Sequence, residues 1–149
     1  MIVLGLDPGI AKFGYGVLSR EHGVVSYVDA GVIKTPSSDS TAVRLAALEA
    51  ELSLVFQKHK ISHVVIERLI PGPHRNLGVV SEARGVALLL IGQHKLPYSE
   101  RSPKTVKLLI TRHGAATKMQ MRLTMQRLLQ MEALPLPDAA DALALALLG

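Results

Sequence analysis

The sequence predicts an α/β fold, a five-stranded mixed sheet with helices on both faces. Two observations carry this prediction. The first 35 residues alternate apolar runs with glycine-containing turns, as in a meander of strands. The remaining chain alternates apolar runs with segments whose apolar residues recur at helical spacing. Hydrophobic residues make up 48% of the 149 residues and aromatic residues only 3%, so the core must be aliphatic. We expect one domain over residues 1–149.

The amino-terminal meander begins with a continuous apolar run at residues 2–7, typical of a central strand covered on both faces. Asp7-Pro8-Gly9 follows as a turn, with Pro and Gly at positions that favour type II geometry. Residues 15–18 resume as a strand. After a turn at residues 21–23, residues 24–33 are predicted to form the third strand.

The later elements alternate between helix and strand. A helix is predicted over residues 41–60, a fourth strand over 63–67, a loop containing Pro71-Gly72-Pro73 over 69–76, a helix over 77–94, a short fifth strand near 97–99, and helices near 103–113, 117–131 and 138–148. The strand–helix–strand connection favours a parallel pairing of the first and fourth strands.

Four acidic residues stand where acids are hard to explain. Asp7 and Glu67 end two apolar strands, and Asp138 and Asp141 begin an otherwise apolar helix. The ends of parallel neighbours meet at one edge of a sheet, and residues three apart share a helix face, so all four can converge. Clustered carboxylates repel one another and lose hydration, which a hard divalent cation offsets. The four acids therefore predict a metal site, and a cluster able to hold two ions is typical of phosphodiester hydrolysis.

Two of the acids also have a simpler interpretation. Asp7 could serve only the Asp-Pro-Gly turn, and Asp138 could interact with a helix dipole. A purely structural role is harder to give to Glu67, because Glu has a poor propensity for strands. The helix-dipole role is weaker for Asp141 than for Asp138, because Asp141 lies a turn inside the helix. The combination is much more specific than any one member.

The basic residues are concentrated between positions 101 and 127. Lys plus Arg number 17 against 12 for Asp plus Glu, a net charge of +5. The candidates for contact with phosphate are Lys104, Lys107, Arg112, Lys118 and Arg122. They could form only a solvated helix face. We favour a phosphate-binding surface, because their helices directly precede the acid-bearing helix.

Composition excludes several classes. Without cysteine there is neither a disulfide framework nor a thiolate metal site, which suits a reducing compartment such as the cytoplasm. No signal peptide is expected, because the first apolar run is short and interrupted by Asp7-Pro8-Gly9. No segment reaches the roughly 20 apolar residues of a membrane span, so we expect no membrane partner.

Motifs along nearly the whole chain resemble the RuvC family of bacterial Holliday junction resolvases. The matching segments are Gly5-Leu6-Asp7-Pro8-Gly9, Gly14-Tyr15-Gly16, Ile66-Glu67, Ala83-Arg84-Gly85-Val86-Ala87, Val106-Lys107, Lys118, and Asp138-Ala139-Ala140-Asp141-Ala142-Leu143-Ala144. The first and last segments are specific, and the middle ones are less so.

The resemblance implies a ribonuclease H-like fold and a metal-dependent endonuclease that nicks opposed strands of a four-way DNA junction in recombination and repair. It makes Asp7, Glu67, Asp138 and Asp141 the catalytic acids and metal ligands, and places Lys107 and Lys118 near the scissile phosphate. It also implies a homodimer, and partnership with the RuvA and RuvB branch-migration helicase complex. The dimer-forming helix would be residues 77–94. We predict its contact stripe to be Leu77, Val80, Arg84, Ala87, Leu88 and Ile91.

Two departures fall after Glu67. The family usually has an aromatic residue two or three places further on, which stacks at the junction centre, whereas this chain has Arg68-Leu69-Ile70. The next segment, residues 71–75, is proline-rich and unlike the usual Lys/Asn-bearing segment. We predict that Ile70 and Arg75 contact the DNA in place of these residues.

The expected mechanism uses two Mg²⁺ or Mn²⁺ ions about 3.5–4 Å apart, bridged by Asp7 and flanked by the other three acids. Lys107 and Lys118 would balance phosphate charge. The alternatives are another ribonuclease H-like nuclease acting on RNA–DNA hybrid or damaged DNA, and a junction-binding protein without cleavage activity. A sugar-kinase or actin-like phosphate loop is disfavoured, because such ATPases need two domains of this kind.

Overall fold

The computed structural model describes residues 1–71 and 77–149. Its five strands are β1 (Ile2–Asp7), β2 (Lys12–Glu21), β3 (Val24–Lys34), β4 (His63–Glu67) and β5 (Tyr98–Arg101). They form one mixed sheet in the order β3-β2-β1-β4-β5. β1 pairs antiparallel with β2 and parallel with β4, and β4 pairs parallel with β5. The predicted mixed sheet and the parallel pairing of the first and fourth strands are confirmed.

Five helices within the described part of the chain cover the sheet. They are α1 (Thr41–Lys58), α2 (Leu77–Gln93), α3 (Pro103–Thr111), α4 (Lys118–Leu128) and α5 (Pro137–Leu147). Each predicted helix is present, with ends that differ from the prediction by at most three residues. The largest difference among the strands is β2, which begins at Lys12 rather than near Tyr15, because its early residues pair with the end of β3.

The sheet separates two apolar layers. Leu4, Leu6 and Ile66 point to one face, where they meet buried residues of α1 and α2. Val3 and Val65 alternate to the other face, where they meet α5 and α4. Helices therefore cover both faces, as predicted.

Glycines let α5 lie directly on the sheet. A Cβ atom on Gly5 would stand 1.9 Å from the carbonyl oxygen of Ala142, and one on Gly14 would stand 2.1 Å from that of Asp138. On Gly16 it would meet Leu143 at 2.7 Å. These three positions on β1 and β2 leave no room for a side chain, and α5 fills the space with its own backbone.

The turn after β1 differs from the prediction. A type II turn at Asp7-Pro8-Gly9 would require a positive φ at Gly9. Within residues 1–71 and 77–149 the glycine with a positive φ is Gly23, at 84°, so the predicted type II geometry is wrong. Gly9 is required for a steric reason instead, because a Cβ there would stand 2.4 Å from the carbonyl oxygen of Lys12.

The contact stripe predicted on α2 is also wrong in part. Ala87 and Ile91 face the protein's own core together with Ala83 and Leu90, and Leu88 packs against the same cluster. The outer surface of this helix instead presents Gly85, Leu89 and Gly92, with Leu89 56% exposed. Apolar residues lie on every side of α2, so their spacing did not distinguish the inner face from the outer one.

Candidate active site

The alternation of β1 and β4 directs two acids toward α5. Val3, Gly5 and Asp7 share the face of β1 that α5 covers, and Val65 and Glu67 share the corresponding face of β4. The two strands run parallel as neighbours, so both carboxylates leave the sheet at the same edge. The register pairs Leu6 with Ile66, which places Asp7 and Glu67 next to each other beyond it.

The helix α5 brings the other two acids to this edge. Its N-cap is Leu136, which makes no side-chain capping bond, and Pro137 begins the first turn. Asp138 lies in that first turn and Asp141 one turn further on, among alanines that are fully buried against the sheet. The close approach at Gly14 and Gly5 thus sets the depth at which both carboxylates meet the strand ends.

The four acids line one cleft of about 340 Å³. Three lysines line it with them: Lys12 from β2, Lys107 from α3 and Lys118 from α4. Lys107 and Lys118 had been predicted from the sequence to lie here, whereas Lys12 had not. The missed signal was the position of Lys12 five residues after Asp7, at the start of the antiparallel partner of β1.

Burial and mutual repulsion make two of the acids hard to ionise. Burial raises the pKa of Asp7 well above its ordinary value, and the nearby carboxylates of Glu67, Asp141 and Asp138 raise it further. Burial likewise raises the pKa of Asp141 to about 6, although Lys118 opposes the shift. Within the described chain no donor bonds to the Asp7 carboxylate, so the turn does not use it.

The donor set fits a hard divalent cation. All four side chains offer carboxylate oxygens, the ligands that Mg²⁺ and Mn²⁺ prefer. Burial is the largest cause of the raised pKa values of Asp7 and Asp141, and a bound cation would offset both burial and the repulsion among the carboxylates. Among residues 1–71 and 77–149, however, no group of three carboxylate or imidazole side chains has the arrangement that would hold a metal ion. The fit therefore rests on donor chemistry and charge.

Helix caps position the two predicted catalytic lysines. Ser102 caps α3, with Pro103 in its first turn, and Lys107 follows one turn later. Thr117 and Gln120 form a reciprocal capping box that fixes the first turn of α4, where Lys118 lies. The side chain of Lys118 opposes the raised pKa of both Asp7 and Asp141, as a cation near these carboxylates must.

The other predicted DNA-contacting residues lie in different settings. Lys104 and Arg112 are exposed, and Ile70 is 42% exposed beyond the end of β4. Arg122 is partly buried, and its Nε donates to the carbonyl oxygen of Pro135 at 2.7 Å, which holds the segment before α5. Its contact with phosphate stays a prediction beside this structural role. Arg75 lies outside the described residues.

Comparison with known proteins agrees with the site. The family model "Crossover junction endodeoxyribonuclease RuvC" matches residues 3–148. The chain belongs to the RuvC family. The RuvC of Gloeobacter violaceus is 43% identical over 100% of this chain and 87% of its own length. That of Pseudothermotoga lettingae is 38% identical over 98% and 91%. The predicted resemblance to RuvC is therefore confirmed.

Solved RuvC structures share the fold. The Thermus thermophilus RuvC structure, 28% identical, superposes with a TM-score of 0.84 over 99% of this chain and 92% of that one. The structure of T. thermophilus RuvC in complex with a Holliday junction substrate gives 0.87 over 99% and 91%. The ribonuclease H-like α/β fold that the sequence predicted is confirmed. No helix within the described residues is long and apolar enough to cross a membrane.

Proposed function

We propose that this protein is a Holliday junction resolvase, which nicks opposed strands of a four-way DNA junction by metal-dependent hydrolysis. The observation that supports this most directly is the cleft in which four carboxylates and three lysines meet, within a chain of the RuvC family. Acids that hold divalent ions, flanked by cations that bind phosphate, suit the hydrolysis of a phosphodiester.

Asp7, Glu67, Asp138 and Asp141 would hold two Mg²⁺ or Mn²⁺ ions. When bound, the ions would lower the pKa of the attacking water and stabilise the leaving 3′ oxygen. Lys107 and Lys118 would contact the non-bridging oxygens of the reacting phosphate, where negative charge increases in the transition state. The apolar layer beneath the cleft, which includes Val106 and Met121, keeps these groups on rigid elements.

The deciding experiment compares a synthetic immobile four-way junction with linear duplex of the same arm sequence. We expect paired symmetric nicks in the junction with Mg²⁺, none with EDTA, and little cleavage of the duplex. Equal cleavage of RNA–DNA hybrid would favour the alternative ribonuclease H-like nuclease. Tight junction binding without nicks in either Mg²⁺ or Mn²⁺ would favour a non-cleaving junction-binding protein.

We also propose that the protein acts as a homodimer through the outer face of α2, because two active sites related by a two-fold axis can reach opposed strands. That face carries Gly85, Leu89 and Gly92, and it replaces the stripe predicted from the sequence. By family resemblance we further propose action in the cytoplasm with the RuvA and RuvB helicase complex.

Leu89→Glu is expected to convert the dimer to monomer at micromolar concentration, because it places a charge at the centre of the proposed contact. Light-scattering mass would show the change, and paired nicks should become unpaired. Leu128→Glu is the matched control, since Leu128 is 53% exposed on α4 across the sheet. A wild type that is monomeric yet makes paired nicks would contradict the dimer.

Lys12→Gln is expected to weaken junction binding and to reduce the dependence of log affinity on log salt by about 0.9, the value for one phosphate contact. The reason is that Lys12 lines the acid cleft from β2, whereas Lys107 and Lys118 line it from α3 and α4. Lys104→Gln should have a similar effect from the exposed side of α3. Lys60→Gln, at the opposite end of β4, is the control. An unchanged salt dependence for both lysine variants would place the DNA on another surface.

Ile70→Ala is expected to reduce base unstacking at the junction centre. The chain lacks an aromatic residue here, and the Leu69-Ile70-Pro71 corner, in which Ile70 and Pro71 are exposed, would instead wedge between bases. Ile70→Phe should increase unstacking, since a stacked ring contributes about 1–3 kcal/mol per base. 2-Aminopurine fluorescence at the exchange point measures both effects. If Ile70→Ala changes neither fluorescence nor cleavage, this corner does not touch the centre.

A further inference from the structure

One arginine joins α2 to the strand end that carries Glu67. The side chain of Arg84 is 16% exposed. Its Nε donates to the main-chain carbonyl oxygen of Glu67 at 3.4 Å, and its Nη2 donates to the carboxylate of Glu100. Arg84 therefore contacts β4 and β5 at the edge of the sheet where the acids gather.

Glu100, the carboxylate partner of Arg84, lies close to Glu67 in the sheet. Glu100 on β5 pairs with Ile66 on β4, the residue directly before Glu67. A second cation, Arg68, lies 3.9 Å from the same carboxylate, but its side chain is 67% exposed. An exposed pair at that distance contributes little, so Arg84 is the main partner of Glu100.

We propose that Arg84, held in place by Glu100, is a positioning residue for the metal ligand Glu67. This inference rests on the proposed function, because it assigns a metal to that carboxylate. Glu67 is the last residue of β4, and the N–H side of its peptide plane is held by the hydrogen bond from the Arg68 N–H to the carbonyl oxygen of Arg101 at 2.8 Å. Arg84 holds the opposite side of the same plane, the carbonyl oxygen of Glu67. With both sides anchored, the direction in which the Glu67 side chain leaves the strand toward α5 is fixed.

The residue type matters. The planar guanidinium donates in two directions at once, to the carbonyl oxygen and to the carboxylate. A lysine ammonium at this position keeps the charge beside Glu100 but lacks the fixed fork. Charge and positioning also make opposite predictions. Removing a cation near the acids strengthens metal binding if charge alone matters, whereas losing the anchor weakens it.

The test measures binding of Mn²⁺ alone, without DNA, from the electron paramagnetic resonance signal of the free ion. Arg84→Gln and Arg84→Lys are expected to weaken Mn²⁺ binding by roughly tenfold, the usual effect of removing a group that orients a ligand. Arg68→Gln is the matched control, because it removes a neighbouring positive charge but leaves the carbonyl of Glu67 anchored. Its Mn²⁺ affinity should be unchanged or higher.

Cleavage supplies a second readout. In Arg84→Lys the Mg²⁺ concentration for half-maximal cleavage should rise by roughly tenfold, while the rate at saturating Mg²⁺ falls much less. Glu100→Gln should shift the same quantity in the same direction. Unchanged or tighter Mn²⁺ binding in both Arg84→Lys and Arg84→Gln would overturn the inference. A wild type that binds no Mn²⁺ would instead contradict the metal site, and with it the proposed function.

Discussion

Replacing any one of three acids with its amide is expected to reduce junction cleavage by at least about 1,000-fold, because each amide removes a charged oxygen ligand from the proposed metal site. The variants are Asp7→Asn, Glu67→Gln and Asp141→Asn. Junction binding should be retained or become tighter, since these carboxylates oppose the negative charge of DNA. Single-turnover nicking in Mg²⁺ and a binding titration in EDTA measure the two effects separately.

The matched control is Glu51→Gln, an exposed acid on α1 that does not line the cleft. It should cleave normally. Asp138→Asn tests the remaining acid, whose place in the first turn of α5 also suits the helix dipole. Nearly normal cleavage by Asp7→Asn would contradict the assignment of the site as a whole.

The same chemistry should appear in the stability of the metal-free protein. The pKa of Asp141 is raised to about 6, so the folded state binds this proton more tightly than the unfolded state. Its contribution is therefore favourable at low pH and is lost as pH rises from about 4 to about 6. In EDTA at pH 8, Asp141→Asn should raise the free energy of unfolding by about 3 kcal/mol. Added Mg²⁺ should stabilise the wild type more than this variant.

Gly5→Ala is expected to be the most destabilising single methyl addition among these positions. The new Cβ would lie 1.9 Å from the carbonyl oxygen of Ala142 and 2.6 Å from the backbone nitrogen of Ala146, so α5 must move as a unit. Overpacking against backbone costs about 3 kcal/mol or more. For a chain of this size that lowers the melting temperature by about 10 °C, which calorimetry measures.

Gly114→Ala is the matched control, because a Cβ at Gly114 meets nothing within 4 Å. Its melting temperature should change little. Gly14→Ala should lower the stability and also raise the Mg²⁺ concentration needed for half-maximal cleavage. The reason is that its Cβ would press on the carbonyl oxygen of Asp138 at 2.1 Å. A wild-type melting temperature for Gly5→Ala would mean that α5 does not rest on β1 as closely as described.

The sequence by itself determined the order of strands and helices and the convergence of the four acids. Strand alternation and helical spacing are local properties, and an acid that ends an apolar strand carries its own signal. Asp7 and Glu67 could be assigned to one edge because a parallel pair has only one carboxyl end. Motif resemblance then supplied the family, which the comparison with RuvC proteins confirmed.

Only the tertiary structure decided which surfaces are free and which are used. α2 is apolar on every side, so packing against β1, β4 and α1, not its own spacing, turned Ala87 and Ile91 inward and left Leu89 outside. Lys12 joined the acid cleft because β2 folds back along β1. Arg122 bonds to Pro135 and Arg84 to the end of β4 through contacts between distant segments. Such contacts depend on the meeting of faces in three dimensions, which no local pattern of residues records.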